Sequence, residues 1–378
     1  MKKLFILAAA AVVALAACTK TEVVNNTPDQ AIAFQVANYV NATKADSHGH
    51  TSLLDEGFNN FKTYAWYTPA TGTANQAFMA PATVSYDATK KLWHATDRSY
   101  FWPKTGFINF FSFAGNHLPD AVALDAADEN KAKAHYTSAI TVATDDNILI
   151  ADGAYGFYSN PDAAHGLNEV TKGVPTLFRH MLSRVKFDIS VDATEITDTK
   201  NNWEVVVNSA VVSYRNQGKL EVAFPAAAAI TFDADGHPTT AGTTAKYASE
   251  VWTPESVANA ELNKVTGTVT TNANGGSKST PVELIADSVV MPQDLATTSV
   301  TFAINYTITH TYNGANPIVE TVPISAKALT AFATPVTAWD VNTIYTYHII
   351  IKPNGEILFD PAVEEWVEEN TEPSYTIL

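Results

Sequence analysis

Residues 300–309, VTFAINYTIT, alternate between apolar side chains and small or polar ones. Alternation with a period of two is typical of a strand that has one face against a core and the other toward solvent. Residues 31–40 and 185–192 repeat the pattern, and Asn354-Gly355 is a strong hairpin signal between two further β-rich runs. Helical periodicity occurs only briefly. The sequence therefore predicts an all-β protein.

Composition and charge narrow the class of protein. The chain has 378 residues, of which 46% are apolar and 16% charged, so it can bury a core and is long enough for two domains. Its 39 acidic and 23 basic residues give a net charge of −16. Nucleic acid is not expected as a partner, because phosphate binding needs clustered Lys and Arg. A single Cys excludes a disulfide framework and a Cys-based zinc site.

The N-terminus has the pattern of a lipoprotein export signal. Lys2 and Lys3 precede an apolar stretch at 4–14 that is too short to cross a bilayer as an ordinary helix. The following LAAC sequence, which ends at Cys18, resembles the lipobox of bacterial lipoproteins. We expect residues 1–17 to be a signal peptide, residues 18–30 a tether, and lipid on Cys18 to anchor the protein in the cell outer membrane. A plain secretory signal with an unrelated Cys is the alternative.

Turn-forming residues indicate the domain organisation. Residues 158–173 are rich in Asn, Asp, Gly and Pro and are the best candidate for a linker. The β-rich segments on either side are of similar length. We therefore expect an N-terminal β-sandwich over residues 31–175, a C-terminal β-sandwich over residues 176–366 and a tail over residues 367–378.

The sequence contains few signs of catalysis or metal binding. Gly-x-Ser-x-Gly, P-loop, dinucleotide-binding and HExxH motifs are absent. His48 and His50 could supply half of a metal site, but no third ligand is marked, so a solvated loop is the favoured interpretation. Asp233 and Asp235 begin like a calcium loop without its later ligands, which favours a hairpin turn. No catalytic residue, metal or cofactor is predicted, and an enzyme is the least favoured class.

Several segments together resemble the fimbrillin family, the pilins and pilin-like lipoproteins of Bacteroidia. The matching segments are the lipobox with the strand that ends near Thr43-Lys44-Ala45, Trp93 with Tyr100-Phe101-Trp102-Pro103, FRHMLSRV at 178–185, MPQDL at 291–295, and Trp339, Tyr345 and Tyr347 followed by ILFDPAVEEW at 357–366. Each segment alone is weakly specific, whereas their order across about residues 15–366 is fairly specific. The resemblance implies two tandem transthyretin-like β-sandwich domains, in agreement with the alternation.

The resemblance also implies a route of assembly. In the family's pilins a trypsin-like protease cuts the loop after the first strand, that strand leaves, and an extended strand of another subunit fills the vacated groove. The matching cut in this sequence lies between Lys44 and Ala45. The family's best-known processing follows Arg, and no Arg precedes Arg98 here. The apolar residues of the exchangeable strand are Ile32, Phe34 and Val36.

The sequence thus predicts a structural subunit, or a pilus-associated lipoprotein, of a cell-surface fimbria that serves adhesion. The expected partners are other pilin subunits, a trypsin-like processing protease, the outer membrane through the lipid, and a host protein or glycan. Residues 363–378 are the candidate donor strand, with a frayed tail as the alternative. The competing hypothesis is a non-polymerising surface lipoprotein that binds glycans or host ligands through exposed aromatic side chains.

Overall fold

The computed structural model describes most of the predicted sandwich region. The described residues are 31–36, 50–71, 75–125, 128–158, 173–226, 228–240, 242–256, 258–262, 269–331 and 336–366. The predictions for Cys18, for Lys44 and Ala45, and for the tail 367–378 lie outside these residues and stay predictions.

In the described part of the chain, strands form nearly all of the regular structure, together with one short 3-10 helix at Leu329–Ala331. None of the described residues form a helix that is long and apolar enough to cross a membrane. In chain order the strands are β1 (Ala33–Val36), β2 (Asn60–Thr68), β3 (Gln76–Asp87), β4 (Leu92–Ala95), β5 (Phe107–Gly115), β6 (Ala121–Asp125), β7 (Asp128–Thr141), β8 (Ile148–Ala151), β9 (Gly153–Phe157), β10 (Val174–Thr176), β11 (Phe178–His180), β12 (Ser183–Val191), β13 (Asn201–Tyr214), β14 (Gln217–Ala223), β15 (Thr243–Ala245), β16 (Ser249–Pro254), β17 (Ala260–Leu262), β18 (Val269–Asn274), β19 (Val282–Val290), β20 (Gln293–Asp294), β21 (Thr301–Tyr312), β22 (Ile318–Ala328), β23 (Ala338–Trp339), β24 (Thr343–Ile351) and β25 (Ile357–Glu365).

The alternating segment at 300–309 forms most of β21. Its apolar side chains are buried and its polar ones are partly exposed, as a strand with one face against a core requires. β21 lies between β13 and β22 and pairs antiparallel with both. The predicted all-β fold class is confirmed.

The C-terminal β-sandwich consists of two facing sheets. A five-stranded sheet in the order β17-β13-β21-β22, with β18 also on β13, faces a four-stranded sheet in the order β19-β12-β24-β25. Their inner faces share one hydrophobic core. There the Phe187 ring stacks on Tyr347 at 4.7 Å and on Phe302 at 5.5 Å, so side chains of both sheets meet at the centre.

The N-terminal β-sandwich is built around a ten-stranded sheet, whose main path runs β10-β1-β4-β3-β2-β5-β8-β11. The first and last strands of this path, β10 and β11, are separated in sequence only by Leu177. One continuous stretch of chain, residues 174–180, therefore joins the two ends of the sheet. The facing sheet has the order β16-β14-β7-β6, and Phe111 and Phe113 of β5 share a core with Leu220 and Val222 of β14.

The strand pairing crosses the predicted division between residues 175 and 176. β14 pairs antiparallel with β7, and β16 pairs with β14, so residues 217–254 help to build the N-terminal β-sandwich. β15 likewise pairs with β9. The division itself stays a prediction. Alternation within a segment indicates a strand without indicating its partner, so this return of the chain has no local signature.

Candidate functional site

The first strand, β1, lies within the ten-stranded sheet of the N-terminal β-sandwich. β1 is the second strand from one end of the sheet path, parallel to β10 and antiparallel to β4. Ile32, just before it, donates its backbone N–H to the carbonyl of Tyr100 at 2.7 Å. Both edges of the segment are thus hydrogen-bonded, and the neighbour on one side is only three residues long.

Three side chains of this segment point into the core. Ile32, Phe34 and Val36 are only 2%, 1% and 5% exposed, whereas Gln35 is exposed. The Phe34 ring makes edge-to-face contacts with Phe61 and Phe110, each at 5.6 Å between centroids. Burial of each apolar side chain contributes about 1.5–3 kcal/mol, part of which the cost of ordering the chain offsets. The segment therefore fills an apolar slot that its own removal would expose to water.

Gly173 supports β1 at a position where no other residue fits. Its φ is +91°, and a Cβ there would lie 2.9 Å from the carbonyl carbon of Phe34 and 3.0 Å from the carbonyl oxygen of Ala33. A positive φ strains any residue with a Cβ, and the backbone of β1 cannot give way as a flexible side chain could. Gly173 thus allows the backbone of β1 to approach β10 closely.

Replacing Gly173 by alanine is expected to loosen β1. The positive φ alone costs about 1–2 kcal/mol, and the clash adds to this cost at the strand itself. The matched control is Gly314→Ala, because Gly314 also has a positive φ, +72°, but has nothing within 4 Å of the added Cβ. Amide hydrogen exchange at Ile32 should accelerate at least tenfold in Gly173→Ala and stay unchanged in Gly314→Ala. Equal protection of Ile32 in both variants would contradict this prediction.

The segment on the far side of the predicted cut is attached to the same stretch of chain as β1. Thr51 forms an antiparallel bridge with Phe178, and its N–H donates to the Phe178 carbonyl at 2.8 Å. β1 pairs with residues 174–176. Lys44 and Ala45 belong to the connection between these two attachments, so the predicted cut would separate them.

A buried ionic cluster holds the segment that begins at His50. Asp152 accepts two hydrogen bonds from Arg179, Nε at 2.8 Å and Nη2 at 3.1 Å, and its Oδ2 lies 2.9 Å from His50 Nε2. All three side chains are buried. Burial would raise the pKa of Asp152, but the hydrogen bonds and charges of His50 and Arg179 outweigh it, so that pKa lies below its ordinary value.

A second carboxylate, that of the largely buried Glu56, holds the same segment. Glu56 accepts a hydrogen bond from Thr51 Oγ1 at 2.9 Å and another from Asn147, and its Oε1 lies 3.0 Å from His180 Nε2. Burial again acts to raise the pKa of Glu56. This effect is outweighed by the hydrogen bond to His180 and its charge, and by the hydrogen bonds from Thr51 and Asn147. The pKa of Glu56 therefore lies below its ordinary value.

Local sequence pattern assigned no role to Glu56 or Asp152. The predicted solvated loop at His48 and His50 differs from the structure at His50, whose imidazole is buried and lies 2.9 Å from the carboxylate of Asp152. Within the described ranges, no group of three or more His, Cys, Asp or Glu side chains could hold a metal ion. The one sequence feature that pointed to this cluster was the segment FRHMLSRV at 178–185. It contains Arg179 and His180 but does not reveal their partners.

Two further candidate features have structural roles. Asp233 Oδ1 accepts hydrogen bonds from the N–H groups of Asp235 and His237, as in a side-chain-stabilised turn. Tyr64 and Trp66 stack at 6.4 Å but pack against the core of the N-terminal β-sandwich. Of the aromatic residues in the described part of the chain, only Tyr312 is among the exposed large apolar side chains.

Comparison with known proteins gives similarity to solved structures alone: no protein-family model matches the chain and no curated protein matches it. A fimbrial protein from Bacteroides vulgatus has a TM-score of 0.48 and 14% identity over 89% of this chain and 99% of that chain. A candidate cell adhesion protein from Parabacteroides distasonis has a TM-score of 0.47 and 12% identity over 90% and 98%. Another, from Bacteroides uniformis, has a TM-score of 0.39 and 15% identity over 89% and 100%.

Proposed function

We propose that this chain is a non-enzymatic structural subunit, or a pilus-associated lipoprotein, of a cell-surface fimbria that serves adhesion and is assembled by protease-triggered strand exchange. The observation that carries the proposal is the position of β1. This strand fills an apolar slot with Ile32, Phe34 and Val36, and it is joined to the body of the protein through a connection that contains Lys44. A replacement strand would need only alternate apolar side chains and a free backbone edge.

A cut after Lys44 is what makes exchange feasible. An intact β1 remains tethered beside its slot, so after any opening it rebinds before a donor from another molecule can compete. Cutting converts it into a separate peptide that can diffuse away. The same cut removes residues 18–44, including the predicted lipid on Cys18. Thr51 and the carboxylates of Asp152 and Glu56 keep the remaining chain attached to the domain.

The proposed donor is the tail at residues 367–378 of a second subunit. It follows β25, which pairs with β24 and is the edge strand of its sheet. Its last five residues, SYTIL, include β-prone Tyr, Thr and Ile. The partners in assembly are then other pilin subunits and a trypsin-like processing protease.

Limited trypsin digestion tests this assembly directly. We expect the first cut after Lys44, followed by loss of the N-terminal fragment and formation of SDS-resistant ladders. The matched controls are Lys44→Gln, which should resist the first cut, and a chain without residues 367–378, which should be cut but form no ladder. Wild-type protein that is cut completely and stays monomeric would reject assembly by this route.

Lipid attachment is tested separately at Cys18. In Cys18→Ala the acceptor thiol is absent, so the protein should move from the detergent phase to the aqueous phase on phase separation, because it lacks the acyl chains that anchor it. Ser52→Ala, a substitution of similar size outside the lipobox, serves as the control and should partition as wild type does. Full retention of Cys18→Ala in detergent would contradict the lipid anchor.

A further inference from the structure

An aromatic stack lies where the C-terminal end of β25 enters the N-terminal β-sandwich. The rings of His180 and Trp366 are 3.6 Å apart and inclined by only 6°, and His180 is 0% and Trp366 2% exposed. The guanidinium of Arg184 lies 5.1 Å from the centre of the Trp366 ring. Trp366 therefore contacts an imidazole and a guanidinium, both of which can interact favourably with its π-electrons.

The surroundings of Trp366 come from both β-sandwiches. Trp366 lies in the same hydrophobic cluster as Phe111 and Phe113 of β5, although β25 itself is part of the C-terminal β-sandwich. Its backbone N–H donates to the carbonyl of Asn342 at 2.8 Å, which extends the pairing of the strand by one residue. Trp366, the residue before the tail, therefore has a fixed position at the junction of the two sandwiches.

His180 connects this fixed point with the segment that follows the predicted cut. Its Nε2 lies 3.0 Å from Glu56 Oε1, and its Nδ1 lies 3.0 Å from Asn147 Oδ1. A well-packed apolar side chain could stabilise such an interior position equally well, and the best-attested advantage of buried polar groups is that they fix one arrangement. The imidazole therefore has a geometric role, because it places the base of the tail beside the segment at Glu56.

We propose that Trp366, held by His180 and Arg184, is an anchor that fixes the exit point of the donor tail at the domain junction. This inference rests on the proposed strand exchange and concerns only the donor side of it. Trp366 and His180 are positioning residues, because they set where residues 367 onward leave the body and are not part of the slot. The slot of one subunit is then filled by the tail of a neighbouring copy, which leaves its own subunit at this junction.

The test separates a subunit's action as donor from its action as acceptor. The variants are Trp366→Ala, which removes the stack, Trp366→Phe, which keeps an aromatic ring on His180, and Val363→Ala, the control at an exposed position of the same strand. Each full chain is cut with trypsin. Uptake of a labelled synthetic peptide of residues 367–378 measures the acceptor, and the rate of SDS-resistant ladder formation measures the donor and acceptor together.

We expect Trp366→Ala to take up the peptide at the wild-type rate and to form ladders about tenfold more slowly, while Trp366→Phe and Val363→Ala resemble wild type. A wild-type ladder rate in Trp366→Ala would overturn the anchor, and so would a loss of peptide uptake as large as the loss of ladders. Wild-type protein that takes up no peptide would instead overturn the proposed donor tail.

A second variant leaves the stack intact and so does not depend on how Trp366→Ala folds. Insertion of Gly-Ser-Gly-Ser after Trp366 adds a flexible spacer of about 10–12 Å between the anchor and the tail. We expect unchanged thermal unfolding and peptide uptake, and ladder formation slowed several-fold. Unchanged ladder formation would show that the exit point is not fixed in a way that matters for assembly, and would overturn the inference.

Discussion

Phe34→Ala is expected to lower the free energy of unfolding of the N-terminal β-sandwich by about 3–5 kcal/mol, the usual cost of removing a buried phenylalanine ring. The ring is 1% exposed and meets Phe61 and Phe110 edge to face, so its loss leaves a cavity and removes two favourable aromatic contacts. Because all of these contacts belong to β1, the lost free energy should appear mainly as faster release of the strand once the chain has been cut.

The effect of Phe34→Ala is measured as the release rate of the N-terminal fragment after trypsin digestion, together with hydrogen exchange at Ile32 in the uncut chain. Gln35→Ala is the matched control, since Gln35 is the exposed neighbour in the same strand. We expect release at least a hundredfold faster in Phe34→Ala and nearly unchanged in Gln35→Ala. Release at the wild-type rate in Phe34→Ala would mean that the Phe34 ring does not hold β1 in its slot.

Arg179→Met is expected to cost about 3–5 kcal/mol, because it leaves the buried carboxylate of Asp152 without the partner that donates two hydrogen bonds to it. His50 alone would then face this charge. The double variant with Asp152→Asn removes the charge as well and should recover part of the loss. The lost free energy should appear first as exposure of the segment at His50 and Thr51, which the cluster holds against β8 and β11.

Urea denaturation measures the change in the free energy of unfolding of Arg179→Met, provided that the slope of this free energy against urea concentration is the same as in wild type. Hydrogen exchange of the Thr51 amide shows whether the loss is located at this segment. Lys219→Met is the control, because Lys219 pairs with Glu255 at 3.5 Å on the surface, where such pairs contribute at most about 1 kcal/mol. A cost for Arg179→Met no larger than that for Lys219→Met would show that the buried cluster does not hold the segment.

The strands and the orientation of their side chains could be predicted from local pattern. Alternation at 300–309 and at 31–36 identified the buried faces of β21 and of the segment around β1, because successive side chains of a strand point to opposite sides. The same pattern gave Ile32, Phe34 and Val36 as the inward residues. Pairing partners were beyond local pattern, since it describes one strand at a time.

Local sequence pattern was enough to predict an all-β protein, the inward side chains of its clearest strands, and three core residues, Ile32, Phe34 and Val36, in and just before its first strand. The folded chain was needed to establish that the first strand lies between β4 and β10 and that β14 and β16 return to the N-terminal β-sandwich. It also brought His50 to Asp152, and His180 to both Glu56 and Trp366. Side-chain alternation is a property of neighbouring residues, whereas the contacts of His50 and His180 join residues more than a hundred positions apart, and only the folded chain brings them together.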